Sequence, residues 1–243
     1  MKVLLSFFTV LPVRNASLEE AAREVRLLPL VGLVTGLPGA GLLLAAYALP
    51  PGVAATLALG AVLLAAGLHH ADGVLDVGDA LMAHGGRDRR REVLADARVG
   101  IGGLGALFLV YAPTVAALTA LCADFPGRAA LALIAGEVAS RSAMVLTLAF
   151  GEPADARSST VPFVKALSGP HRTGDVIVAL LAPLPFLLAT SALAPLAILA
   201  VPLIAWGVLR IAATRFGGIG GDVVGAGGEA CRAALLVLLS ATM

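Results

Sequence analysis

The sequence predicts an all-α polytopic membrane protein with about seven transmembrane helices. Three observations carry this expectation. The 243 residues are 59% hydrophobic and the mean hydropathy is +0.95, whereas soluble domains run at about 45–50% apolar even with glycine counted. Charged residues make up 14%, against about 25% in a typical soluble domain. The apolar residues also fall in runs long enough to cross a bilayer, and in lipid only helices or closed barrels satisfy their own backbone. This excludes a disordered chain and a basic nucleic-acid-coating protein. The expected surroundings are a lipid bilayer, with no nucleic-acid partner.

The chain reads as a single integral membrane domain over 1–243. Residues 1–27 form an interfacial N-terminal segment. Residues 1–13 are apolar, but Pro12, Arg14 and Asn15 stand where a secretory signal would carry a small-residue cleavage site. Run one covers 28–49 and contains Gly32 and Gly36, a spacing that suits close helix packing but equally follows from the glycine-rich composition. Run two covers 52–69. Run three covers 101–121 and should kink at Pro113. Run four covers 129–150. Runs five (176–190) and six (192–209) are short enough for a tight hairpin and carry Pro183, Pro185, Pro195 and Pro202. Run seven, 225–243, has the weakest case for a full crossing. Cys122 and Cys231 are far apart and lack metal-ligand spacing, so neither a disulfide framework nor a zinc site is expected.

Lysine and arginine set the orientation. Lys2, Arg14, Arg23 and Arg26 precede run one. Arg87, Arg89, Arg90, Arg91 and Arg98 lie between runs two and three. Arg157, Lys165 and Arg172 follow run four, and Arg210 and Arg215 follow run six. Alternate connections thus hold fourteen basic residues, against Arg128 alone on the other side. The N-terminus should be cytoplasmic.

The acidic residues gather on that same side. His69-His70-Ala71-Asp72-Gly73-Val74-Leu75-Asp76-Val77-Gly78-Asp79 follows run two without a break. On a helix Asp72, Asp76 and Asp79 share one face. Adjacent carboxylates repel unless a cation neutralises them. Oxygen-only ligands suit a hard cation such as Mg²⁺, which is usually shared with substrate phosphates. The competing reading is a solvated acidic helix end. Asp96 and Arg98 abut the next span, where Asp96 would complete the metal site and Arg98 would hold a phosphate oxygen. The run 89–91 reads as lipid-facing or solvated. Residues 70–100 are therefore the candidate cytoplasmic catalytic segment. A second motif spans 217–229, where glycines would let backbone amides approach a phosphate. Within it Gly218 and Gly221 lead into Asp222 and Glu229, which are on one helical face. Arg141, inside run four, is costly in lipid and so a candidate by default. A structural ion pair with Glu137, four residues earlier, is the alternative.

These motifs resemble the cobalamin synthase family, the adenosylcobinamide-GDP ribazoletransferases. The resemblance rests on 70–79, on Asp96-Ala97-Arg98-Val99-Gly100, on Gly217-Gly218-Ile219-Gly220-Gly221-Asp222 with Gly225, Ala226 and Glu229, on Ser140-Arg141, and on 8–13 and 28–32. It spans nearly the whole chain in order. Four places depart from the family's pattern. Val10 stands for a usual arginine, Gly220 for a threonine, Arg232 for a second acid, and 157–163 lacks a glycine-leucine-glycine. The resemblance implies the last assembly step of cobalamin biosynthesis. Adenosylcobinamide-GDP and α-ribazole, or its 5′-phosphate, give adenosylcobalamin, or its 5′-phosphate, and GMP. It implies Mg²⁺ held by Asp72, Asp76, Asp79 and Asp96, catalysis by Asp72, Asp76, Asp79, His70 and Arg98, and substrate binding by Arg141, Gly218, Gly221, Asp222 and Glu229. Family alignment points to His70, whereas ideal helix geometry turns His69 toward the Asp72 face. A multi-pass protein of the cell (inner) membrane is implied, with the active site cytoplasmic. Self-association or association with other cobalamin-assembly enzymes stays open.

Two rival classes are weaker. A CDP-alcohol phosphatidyltransferase would carry Asp-Gly-x-x-Ala-Arg, but Asp76 replaces that alanine and no arginine follows. A transporter would place its acids near mid-membrane, often within an inverted repeat.

Overall fold

The computed structural model describes residues 1–13 and 17–242. Arg14 and Asn15, counted above in the charge pattern and the signal argument, lie outside the described residues, as does Met243. Five helical stretches are long and apolar enough to cross a membrane, and the number rises to seven if each of two bent helix pairs forms one span. Among the described residues no strand forms, and the one β-bridge joins Pro153 to Ile219. The chain is a multi-pass α-helical membrane protein.

Two short helices open the chain, α1 (Lys2–Phe8) and α2 (Leu18–Arg23). Ser17 and Glu20 form a capping box that starts α2. The first span is α3 (Leu28–Leu44), which the flanking 3₁₀ turns extend to Val25–Tyr47. Next come α4 (Pro51–Ala65), α5 (His69–Met82) and the short cationic α6 (Arg87–Leu94). Two long spans follow, α7 (Ile101–Asp124) and α8 (Pro126–Phe150). Pro113 lies inside α7, which stays one element rather than two. The helix α8 is the axis of the bundle. Of its best apolar window 94% is buried, against 28% for α7. Gly32 and Gly36 of α3 both lie against α8 at Glu137, so small residues do bring these two helices together.

The second half is more broken. The short helix α9 (Val161–Leu167) turns by 101° into the stretch Arg172–Leu188, where α10 (Arg172–Leu181) and α11 (Leu184–Leu188) cover run five. Pro183 and Pro185 end one helix and start the next, because proline supplies no N–H for a helix interior but fits the first turn. Run six lies in a stretch long and apolar enough to cross on its own, Ala194–Phe216. It begins as a 3₁₀ segment, continues as α12 (Ala200–Ile211) and ends in one π-turn. The last helix, α13 (Gly221–Thr242), is long and apolar enough to cross on its own. Large apolar side chains such as Phe108, Leu109, Leu203 and Trp206 point outward, as the lipid-facing surface of a membrane bundle requires.

The feature that positions the site is the break between α4 and α5, whose axes turn by 96°. Gly67 and Leu68 both take left-handed backbone conformations there, with φ 72° and 62°. Left-handed backbone ends a helix, and for leucine it costs about 1–2 kcal/mol. The N-terminal segment braces this break, since the Val10 N–H donates to the Ala65 carbonyl at 3.0 Å.

Candidate active site

The motif acids of the two halves of the chain meet where α5 crosses α13. A methyl group added at Gly73 would stand 2.7 Å from the Asp222 carbonyl oxygen and 3.0 Å from its Cα. Only glycine permits that approach. It sets Asp72 and Asp76 beside Asp222 although some 150 residues separate them. Asp76 feels the charges of Asp72, Asp222 and Asp79, and Asp222 feels that of Asp72. No hydrogen bond or ion pair engages the carboxylates of Asp72, Asp76 or Asp222 among the described residues. They form an uncompensated acidic patch.

Asp79 stands apart in its bonding. Its two oxygens accept the Gly100 N–H at 2.7 Å and the Gly103 N–H at 2.8 Å. It therefore caps the N-terminus of α7, where orphan amides and the helix dipole favour a carboxylate. Asp96 and Arg98 are paired with each other at 2.6 Å in the loop before α7. The Arg98 guanidinium holds the Asp96 carboxyl down to about 2. Among the described residues no three acidic, histidine or cysteine side chains converge as a ready-made metal centre. The donors best suited to a hard cation are the three free carboxylates.

A cleft of two lobes opens beside the acidic patch. The larger lobe, about 710 Å³, is lined by Arg91 and Asp155, by 156–159, and by Gly218, Gly220, Gly221 and Asp222. The smaller, about 370 Å³, is lined by Phe7, Phe8, Phe163, His69, His70 and Thr160. Ser159, Gly221 and Asp222 border both lobes. The glycine motif is strapped in place by the connection after α8. The Ile219 N–H donates to the Glu152 carbonyl at 2.8 Å, and the Ile219 carbonyl accepts the Ala154 N–H at 3.0 Å. Gly218 and Gly221 thus line the larger lobe as backbone surface. Arg91, within the run read as lipid-facing or solvated, instead borders the cleft and pairs with Asp155 at 2.8 Å. Arg90 donates to the Ala80 carbonyl at 2.8 Å near the end of α5, and Arg89 pairs with Glu92.

Behind the acidic patch lies a buried polar network. Glu137 and Arg141 of α8 and Arg232 of α13 have no solvent exposure, and Glu229 has 1%. Arg232 donates to Glu137 at 2.8 Å and pairs with Glu229. Arg141 Nη2 stands 3.4 Å from Glu137, so the local ion pair weighed for Arg141 forms. Thr35 donates to Glu137 at 2.6 Å and Tyr111 to Glu229 at 3.0 Å. Two acids and two arginines cancel, as burial in a low-dielectric interior demands. His70 joins network to cleft. It is 8% exposed, borders the smaller lobe, and its Nδ1 lies 3.9 Å from Glu229. His69 also borders that lobe but is exposed.

The family model for cobalamin-5-phosphate synthase matches residues 1–240. The chain belongs to that family. Among its relatives, a protein of Azorhizobium caulinodans named adenosylcobinamide-GDP ribazoletransferase is 35% identical over 96% of this chain and 92% of its own length. One of Pyrococcus abyssi with the same name is 32% identical over 99% of this chain and 97% of its own. A third, from Sulfolobus acidocaldarius, is 45% identical over a shorter stretch, 44% of this chain and 42% of its own. No solved structure matches this chain significantly. In this cobalamin-5-phosphate synthase family member, Arg232 is the hub that neutralises Glu137 and Glu229.

Sequence reasoning missed the aromatic wall, the role of Arg91 and the Arg232 hub. Glu137 and Arg232 did carry a signal, since each is a charge inside an apolar run. The aromatic wall carried none, because Phe7, Phe8 and Phe163 are ordinary residues in apolar stretches.

Proposed function

We propose that this protein carries out the reaction its relatives are named for, in which adenosylcobinamide-GDP and α-ribazole, or its 5′-phosphate, give adenosylcobalamin, or its 5′-phosphate, and GMP. The observation that carries the reading is the meeting of Asp72 and Asp76 with Asp222 at Gly73, beside a cleft whose larger lobe carries Arg91 and Arg157. Transfer at a pyrophosphate needs charge neutralisation and in-line positioning more than a protein nucleophile. A ribose hydroxyl oxygen forms a new bond to the cobinamide-side phosphorus. The phosphoanhydride bond breaks and GMP leaves with the electron pair. Asp72, Asp76 and Asp222 are oxygen donors that fit Mg²⁺, which when bound neutralises charge on the pyrophosphate. Arg91 and Arg157 face the donor's phosphates across the larger lobe, and the backbone at Gly218 and Gly221 lets them approach. His70 takes the hydroxyl proton on Nε2, with its other nitrogen turned toward Glu229.

We further propose that the protein lies in the cell (inner) membrane with its N-terminus and the cleft on the cytoplasmic side, which the fourteen-to-one bias of basic residues supports. The test of the reaction is purified protein in proteoliposomes supplied with Mg²⁺, adenosylcobinamide-GDP and α-ribazole. The expected outcome is GMP and adenosylcobalamin in equal amounts, with none when either substrate is omitted. Transfer from a CDP-alcohol instead, or solute flux without group transfer, would overturn the reading.

A further inference from the structure

We infer that the smaller lobe is the acceptor subsite, and that Phe7, Phe8 and Phe163 form an aromatic slot for the flat heterocyclic base of the incoming nucleoside. The inference rests on the ribazole-transfer reading and adds to it which lobe takes which substrate. The chain has only eleven aromatic side chains, eight of them phenylalanine, yet three converge on one cavity from α1 and α9. The ring centroids of Phe7 and Phe8 lie 4.9 Å apart, and those of Phe8 and Phe163 6.1 Å apart, both edge-on. Phe7 and Phe163 are tilted at 6.0 Å. None of these pairs is stacked face to face, all three side chains line the lobe, and base–aromatic stacking is tolerant of the particular base.

Charge separates the two lobes. The smaller has no lysine or arginine in its lining and borders Asp222, whereas in the larger Arg91 and Arg157 offset Asp155 and Asp222. The anionic nucleotide of the donor therefore favours the larger lobe, and an uncharged ring system favours the smaller. At about 370 Å³ the smaller lobe is within the usual range for a small-molecule site, about 300–1,000 Å³. Ser159, Gly221 and Asp222 line both lobes. A nucleoside seated with its base among the phenylalanines thus directs its ribose toward the acidic patch, where the hydroxyl must attack.

The test compares Phe8→Leu and Phe163→Leu, which keep apolar bulk but remove a ring, with Phe108→Leu, whose ring is 70% exposed on α7. Steady-state kinetics give KM for each substrate, and calorimetry gives the α-ribazole Kd. The expected result is a rise of about tenfold in KM and Kd for α-ribazole in each slot variant, the scale of losing one base–aromatic stack. The KM for adenosylcobinamide-GDP and all constants of Phe108→Leu should hold. Unchanged α-ribazole constants, or a rise for the donor instead, would overturn the inference while the wild-type reaction stands. A wild type that binds α-ribazole in the slot but releases no GMP would overturn the reaction and leave the slot. A wild type that does neither would overturn both.

Discussion

Removing Arg232 tests the buried network. In Arg232→Met the guanidinium that donates to Glu137 at 2.8 Å and pairs with Glu229 is lost from a site with no solvent exposure. Arg141 still faces Glu137, and Tyr111 still donates to Glu229. One negative charge nevertheless stays buried without a cation. Breaking a buried pair by removing one partner costs about 3–5 kcal/mol, whereas removing both charges is often nearly neutral. In a chain of this size each kcal/mol lowers the melting temperature by about 2–4 °C, so the single variant should melt on the order of 10 °C lower. The double variant Arg232→Met/Glu229→Gln should regain at least half of that. The assay is thermal unfolding in detergent followed by the fluorescence of Trp206. A shift below about 2 °C for the single variant, or a double variant no better than the single, would refute the claim that Arg232 is held to neutralise these acids.

Three further outcomes follow from the same geometry. Gly73→Ala should push α5 from α13 and lower GMP release by about a hundredfold, since misplacing a reacting group by about 1 Å has that effect; Gly60→Ala, where a methyl group meets nothing within 4 Å, should leave the rate within twofold, and equal rates would contradict the close crossing. Arg91→Gln should raise KM for adenosylcobinamide-GDP about tenfold at unchanged KM for α-ribazole, and an unchanged donor KM would assign Arg91 to a surface pair with Asp155 that is worth little. A cysteine at Arg87 should resist an impermeant thiol reagent added outside intact cells, and one at Gly52 should react, with little background because Cys122 and Cys231 are buried; labelling in the opposite sense would invert the topology.

Much of the membrane architecture is legible in the sequence, because hydropathy over about 20 residues is a local property. Runs one, three, four, six and seven each correspond to a stretch long and apolar enough to cross on its own, including the seventh, for which the sequence argued least. The two bends lie at the end of run two, between α4 and α5, and just before run five, between α9 and α10, and local signals account for only one of these. Gly169 and Pro170 stand in the break between α9 and α10 and announce it, since glycine and proline punctuate helices. The turn before α5 depends on Leu68 holding a left-handed backbone that leucine does not favour, and tertiary packing must impose it. At the site, the acids stood out because charge in an apolar chain is conspicuous. Their partners did not. That Asp79 would cap α7, that Asp96 would turn to Arg98, and that Phe7 would meet Phe163 are contacts made across the fold, and spacing along the chain does not encode them.

The central claim is that the acids of α5 and α13 act as one catalytic unit, and a double-mutant cycle of Asp76→Asn and Asp222→Asn tests it most directly. GMP release is measured at saturating substrates and Mg²⁺, with retained folding checked by melting temperature. Each single variant should stay folded and lose about a thousandfold or more in rate. The double variant should lose little beyond either single one, because groups that act together fail together. A double loss equal to the product of the single losses, or an Asp222→Asn enzyme with near-normal turnover, would contradict the account.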